Sequence, residues 1–257
     1  MEHTRRMNED RIMVECQHIS KVFGERETEN RVLNDISISV KENEFVVVFG
    51  PGQCGKTTLL NIIAGLETKT TGEIEVDGKI VTAPGPDRGM VYQTTALFPW
   101  MTVMGNVEFG LKMAGMKKKE RQKRASYYID LVGLNGYEKS HPSKLSGGMC
   151  QRTGIARAYC NNPALILMDE PFGHLDAQTR YLMEEEIERI CAKEKKTVIF
   201  VTNNVEEAIY LADRIILLTD CPARIKNEYL IDLPRPRNNV SPEFLSLREK
   251  ITMDIDA

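Results

Sequence analysis

The run Gly50-Pro51-Gly52-Gln53-Cys54-Gly55-Lys56-Thr57 sets glycines at both ends of a short spacer and follows them with a lysine and a hydroxyl. Glycines let backbone N–H groups turn inward around an anion, and a lysine adds a point charge. A threonine oxygen suits a hard divalent cation. This order of residue types matches a phosphate-binding loop, in which Lys56 meets the β- and γ-phosphates of a nucleotide and Thr57 meets Mg2+. The match has meaning only between a strand and a helix, because the helix N-terminus must face the anion. Phe45–Phe49 reads as a strand and Lys56–Gly65 as a helix, so that context is present.

A second cluster lies downstream. Ala164–Met168 is an apolar run that ends in Asp169 and Glu170. Acids at the C-terminal end of such a strand face the ligand crevice of an open α/β sheet. Strand alternation sends neighbouring side chains in different directions, so the two have separate tasks. Asp169 suits the Mg2+ shell through water, and Glu170 suits polarising an attacking water. Read alone, the pair is a solvated acidic turn. The phosphate loop upstream gives it a substrate.

Leu145-Ser146-Gly147-Gly148-Met149-Cys150-Gln151-Arg152 precedes those acids. With it the chain resembles the ABC ATPase family, whose signature reads LSGGQ or, in one importer branch, LSGGM-Q-Q-R. The resemblance runs from about Val14 to Arg237. It implies that ATP lies on the loop of one subunit, contacted by Gly50, Pro51, Gly52, Gln53, Cys54, Gly55, Lys56, Thr57 and Thr58. Leu145, Ser146, Gly147, Gly148 and Met149 of another subunit cap it. Ser146 and the glycines open a helix, where hydroxyl and N–H groups suit an anion. With one loop and one signature per chain, the implied assembly is a dimer with itself or with another ABC ATPase.

Other residues take roles from the same resemblance. It implies Phe23 as the aromatic that stacks on adenine, while a hairpin packing role fits that residue equally from sequence. Gln93, after the strand Gly89–Tyr92, is implied to reach Mg2+ and the attacking water. Asp176, in Gly173-His174-Leu175-Asp176, is implied at the dimer interface. Pro84–Gly89, Leu97-Phe98-Pro99-Trp100 and Leu233-Pro234-Arg235-Pro236-Arg237 mark the branch of nitrate, taurine and alkanesulfonate importers. That branch implies ATP and Mg2+ as cofactors and transmembrane permease subunits as partners. It also implies an extracytoplasmic solute-binding protein as an indirect partner, and a peripheral place on the cytoplasmic face of the cell membrane. Trp100, the only tryptophan, has two open roles, an interface anchor or a core residue.

The chain departs from the family in three places. Val201-Thr202-Asn203-Asn204 stands where V-T-H-D is usual, so Asn203 takes the catalytic place of a histidine at the γ-phosphate. An amide donates a hydrogen bond there but cannot become positive or relay a proton, which predicts weakened hydrolysis with ATP binding kept. A second function follows from that departure: a nucleotide-binding partner whose own site hydrolyses poorly. Gln53 replaces a usual glycine. Cys150 replaces a usual glutamine in the first turn of its helix, a place that predicts a lowered thiol pKa and an oxidative cross-link to Cys54 of a partner.

These residues need elements to place them. Thr197–Thr202 and Ile215–Thr219 read as further strands, and Gly148–Tyr159, Ala177–Ala192 and Val205–Leu211 as helices. The order predicts an α/β fold, a P-loop NTPase-type mostly parallel sheet core. Met13–Ile19, Ile36–Val40 and the hairpin Gly72–Val81 predict an antiparallel β subdomain. Residues about 94–160 predict an inserted α-helical subdomain, in which the basic run Lys117–Arg124 fits a solvated helix face or anionic headgroups. The expected boundaries are a flexible tail over 1–11, the ATPase domain over 12–240 and a short C-terminal extension over 241–257. A net charge of -3 gives no reason to expect nucleic acid as a partner. The six cysteines lack zinc-finger spacing and read as reduced thiols. A soluble ABC ATPase of translation or repair would carry two cassettes or a coiled-coil insertion, and neither is visible.

Overall fold

The computed structural model describes residues 11–24 and 28–256. The tail expected over 1–11 lies outside the described residues except for Arg11. That residue pairs with Asp77, and its carbonyl accepts the Glu42 N–H at 2.8 Å. Ten strands follow along the described chain: β1 (Ile12–Phe23), β2 (Asn30–Lys41), β3 (Phe45–Phe49), β4 (Thr71–Val76), β5 (Lys79–Ile80), β6 (Arg88–Val91), β7 (Leu165–Asp169), β8 (Thr197–Thr202), β9 (Arg214–Leu218) and β10 (Ile225–Leu230). The α-helices are α1 (Lys56–Ala64), α2 (Val103–Val107), α3 (Phe109–Met113), α4 (Lys118–Leu131), α5 (Gly147–Cys160), α6 (Ala177–Glu194), α7 (Val205–Leu211) and α8 (Pro242–Asp256). They fall into two compact units. One holds the described residues up to Gly85 and from Lys196 onward, and the other holds Pro86–Lys195.

The first unit carries two kinds of sheet. β3 lies between β8 and β9, parallel to both, and β10 closes on β9 antiparallel. Every residue of β3 and β8 is buried, as parallel strands covered on both faces require. β2, β1, β4 and β5 form an antiparallel sheet in that order. In β2 the buried Ile36, Ile38 and Val40 alternate with exposed residues, which fixes the register because a slip of one residue would expose them all. The β4–β5 turn has Asp77 at φ 52 and Gly78 at φ 68, the left-handed pair of a tight hairpin.

The C-terminal segment forms a 15-residue helix, α8. Phe244 and Ile251 bury its apolar side, and Arg248 pairs with Glu206 of α7 at 2.7 Å. Tyr229 of β10 donates to Asp254 from the other side. The amphipathic spacing around Phe244–Ile251 therefore has a packed partner.

In the second unit β6 and β7 pair in parallel, with Arg88 opposite Leu165 and Val91 opposite Met168. α2, α4 and α5 pack against one another. Asn106, fully buried on α2, organises the preceding loop: its Oδ1 accepts the Phe98 N–H at 2.8 Å, and its Nδ2 donates to Phe98, Met101 and Thr102 carbonyls. That loop holds Trp100 outward at 69% exposure, so a core role for it is excluded. Lys117 just before α4 and Lys118, Lys119 and Lys123 on it are exposed, whereas Arg121 turns in to Glu108 at 3.0 Å. The exposed lysines fit a solvated helix face and anionic headgroups alike. Among the described residues no helix is long and apolar enough to cross a membrane.

Candidate functional site

The phosphate loop joins β3 to α1. Its shape is set by two left-handed residues, Gln53 at φ 61 and Gly55 at φ 119. A glycine adopts that backbone freely and a glutamine at a cost of about 1 kcal/mol, which is the physical sense of the glycine usual at position 53. Gly50 leaves no slack, since an added Cβ would stand 3.2 Å from Cys54 Sγ and from the Leu218 carbonyl. Lys56 is 3% exposed, and its ammonium donates to the carbonyls of Gly50 at 3.0 Å and Pro51 at 2.6 Å. The amine is thus folded back across the loop mouth. Thr57 is exposed and Thr58 half-buried in the first turn of α1. No side chain caps that helix and no acid lies in its first turn, so its N-terminus offers amide donors to an anion.

Two further residues of this unit were expected near nucleotide. Phe23 ends β1 half-exposed, and the Lys21 ammonium lies 4.5 Å from its ring centroid. Lys21 is itself held by Glu67 at 2.8 Å and the Thr68 carbonyl at 2.6 Å, so the cation steadies the ring. Asn203 follows β8 and is exposed. Next to it Asn204 caps α7, its Oδ1 accepting from the N–H of Glu206 at 2.8 Å and of Glu207 at 3.3 Å. The second asparagine of the departure therefore performs the cap an aspartate would give. The Thr202 hydroxyl donates to the buried Glu207 at 2.6 Å and accepts the Asn204 N–H at 3.0 Å.

The other expected residues stand on the second unit. Asp169 is the last residue of β7 and is 8% exposed. Glu170 follows at φ 41, a left-handed turn that breaks the strand, and its carbonyl accepts the Gly173 N–H at 3.0 Å. Gln93 joins them there. A Cβ on Gly173 would lie 3.1 Å from Gln93 Nε2 and 3.4 Å from the Glu170 carbonyl, so the glutamine amide lies against the turn that carries the glutamate.

Ser146 caps α5, its oxygen accepting the Met149 N–H at 3.3 Å. Ser146 and Gly147 are exposed, while Leu145, Gly148 and Met149 are half-buried, with Thr179 Cγ2 only 3.1 Å from a Cβ on Gly148. Asp176 caps α6, accepting from the Thr179 N–H at 3.0 Å and hydroxyl at 2.7 Å. Those bonds hold its carboxyl below the usual range. The residue has a local task besides any at an interface.

One expectation is corrected. Burial pushes the Cys150 thiol up, not down, and its Sγ lies 3.7 Å from the Pro142 carbonyl, a contact that favours the protonated form. Cys54 is 1% exposed, and burial raises its thiol too, against the opposing pull of Lys56. Burial disfavours the thiolate at both cysteines, so the lowered thiol pKa behind the expected oxidative cross-link is absent.

Sequence reasoning missed the residues that hold the Gln93 loop. From α5, Gln151 donates to the Tyr92 carbonyl at 3.4 Å and Arg157 to the Ala96 carbonyl at 2.9 Å. The only signal was two polar residues in a helix that is otherwise largely apolar over Gly154–Cys160, with Gln151 itself buried. Thr57 on the first unit offers a hydroxyl oxygen, and Asp169 and Gln93 on the second offer a carboxylate and an amide oxygen, all hard donors. Among the described residues no cluster of three His, Cys, Asp or Glu could by itself hold a metal. Donors of this chemical kind fit Mg2+, which keeps waters and relies on one or two carboxylates plus substrate phosphates.

The ABC transporter family profile matches residues 33–173. An uncharacterized ABC transporter ATP-binding protein of Methanocaldococcus jannaschii is 50% identical over 94% of this chain and 90% of its own. The nitrate import ATP-binding protein of Synechocystis is 44% identical, covering 93% of each chain. The aliphatic sulfonates import ATP-binding protein of Bacillus cereus is 40% identical over 95% of this chain and 96% of its own. Among solved structures, a dimeric bacterial ABC transporter cassette superposes with a TM-score of 0.76 at 32% identity, covering 85% of this chain and 99% of that one. A dimeric post-hydrolysis cassette bound to ADP and Pi gives 0.75 at 31%, with the same coverage.

Proposed function

This chain belongs to the ABC transporter family, and we propose that it is the ATP-binding and ATP-hydrolysing subunit of an importer for a small anion or organic solute of the nitrate and sulfonate kind. The observation that carries this reading is the phosphate loop, where a buried ammonium lies across the mouth of a glycine-rich turn ahead of an uncapped helix. On binding ATP, Lys56 exchanges the carbonyls of Gly50 and Pro51 for phosphate oxygens. Thr57 and Asp169 would hold Mg2+, which when bound neutralises charge on the phosphates. Gln93 orients the attacking water and Glu170 polarises it, the positioning that phosphoryl transfer demands. Phe23 stacks on the base, and Asn203 donates to the γ-phosphate.

The exposed Ser146 and Gly147 at the tip of α5 support a trans role, capping ATP held by a second cassette. The cassette pair then works against transmembrane permease subunits at the cytoplasmic face of the membrane, with the solute delivered by an extracytoplasmic binding protein. Trp100, exposed beside Phe98 at 5.5 Å between ring centroids, suits the docking of the permease. The solute class rests on the named relatives, and identifying the permease and binding protein that co-purify tests it.

Asn203 favours a second reading, a cassette that binds ATP and leaves hydrolysis to a competent partner. Purified chain with Mg-ATP separates the two. Turnover by this chain alone supports the first. Tight binding without turnover supports the second.

A further inference from the structure

Leu233–Arg237 stands out in the sequence, yet no step of binding or hydrolysis uses it. Its last residue is an arginine only 6% exposed. Arg237 Nη1 donates to the carbonyls of Ile209 at 2.7 Å, Tyr210 at 3.1 Å and Ala212 at 2.6 Å. Its Nη2 donates to Ile231 at 3.2 Å and its Nε to Leu233 at 3.3 Å. The first three carbonyls lie at the C-terminal end of α7. There the last turn leaves acceptors without intrahelical partners, and the helix dipole favours a cation. Arg235 adds a bond to the Leu211 carbonyl at 2.6 Å and pairs with Asp213 at 2.9 Å.

α7 has only seven residues; Glu207–Leu211 are buried and the helix packs on β3, β8 and α8, so the arginines add to that packing a hold on its C-terminal carbonyls. Its N-terminal end is the Asn204 cap, and Asn203 is the residue just before it. The turn is fastened to the helix through Thr202 and the 4% exposed Glu207. One short helix is therefore gripped at one end by two arginines and presents Asn203 at the other. It spans about 10 Å, so a tilt of about 10° moves the far end by about 2 Å. Displacements of that size are enough to cost orders of magnitude in a positioned reaction.

We propose that Arg237 is a positioning residue for ATP hydrolysis: by holding the C-terminal end of α7 it sets where the Asn203 amide stands at the opposite end. The inference rests on the proposed contact of Asn203 with the γ-phosphate.

The test is a double-mutant cycle on the full chain, reading kcat, KM for ATP and Tm in wild type, Arg237→Lys, Asn203→Ala and the double variant. A lysine has three donors on one atom against the five bonds of the guanidinium, so the grip loosens while the charge stays. Arg237→Lys is expected to lower kcat about tenfold with KM changed less than about twofold. In the Asn203→Ala background that loss of kcat is expected to vanish, while the fall in Tm persists unchanged.

The same kcat loss in both backgrounds, or none in either, overturns the inference. If Asn203→Ala itself leaves kcat unchanged, or the wild type has no turnover, the catalytic role of Asn203 falls and this inference with it. A kcat loss in Asn203→Ala that simply multiplies with that of Arg237→Lys removes this inference alone. Should Arg237→Lys fail to fold, Arg235→Gln, with a third of its side chain exposed, carries the same cycle with an expected loss of about threefold.

Discussion

Lys56 is the residue on which nucleotide binding turns. An ammonium at 3% exposure would be costly without partners, and the loop supplies two carbonyls that a bound phosphate can replace at little cost. Because charge-assisted bonds are worth about 1.5–3 kcal/mol each, Lys56→Ala is expected to weaken ATP binding by about 10- to 100-fold in calorimetric titration. Asn203 makes the opposite kind of prediction. A neutral amide stands where an imidazole could carry charge, so Asn203→His is expected to raise kcat about fivefold, since a charge-assisted bond exceeds a neutral one by about 1 kcal/mol, with the affinity for ATP unchanged. An unaltered turnover rate in that variant would detach the residue from hydrolysis. The glutamine at position 53 and the two raised thiols show the limit of residue-by-residue reading. A left-handed backbone and a buried sulfur are products of packing that neighbouring letters do not reveal.

At the scale of elements, caps and strand burial decide what stands where. Asn204 accepts two N–H groups at the start of α7, so Asn204→Ala is expected to cost about 1 kcal/mol in denaturant unfolding, and more in kcat than a surface change would. β3, β8 and α7 were legible to the residue, because unbroken apolar runs and an asparagine before a helix leave few alternatives. The β4–β5 hairpin was legible from Asp77-Gly78 for the same reason. What sequence did not reveal was long-range. The arginines of Leu233–Arg237 read as a branch marker, and only their bonds to carbonyls more than twenty residues upstream show that they serve α7. The C-terminal helix likewise has a recognisable amphipathic pattern but no local clue that α7 is its partner. Asp176 was assigned to an interface although its place just before a helix already announced a cap.

At the scale of the whole molecule, the segments expected to act on ATP stand on two compact units. The phosphate loop, Phe23 and Asn203 stand on one. Gln93, Asp169, Glu170 and the signature stand on the other. Since no cluster among the described residues could retain a metal alone, chelation of Mg2+ is expected to abolish hydrolysis without affecting Tm of the nucleotide-free chain. An ATP site shared between two copies is the central claim, and it joins the cradle of one chain to the Ser146 helix tip of its twin.

Sedimentation of Glu170→Gln, in which ATP would persist uncleaved, tests it most directly. With Mg-ATP the chain is expected to sediment as a dimer, and without nucleotide, or with Ser146→Arg added, as a monomer. A chain that binds ATP yet remains monomeric at every concentration of nucleotide and protein would contradict it.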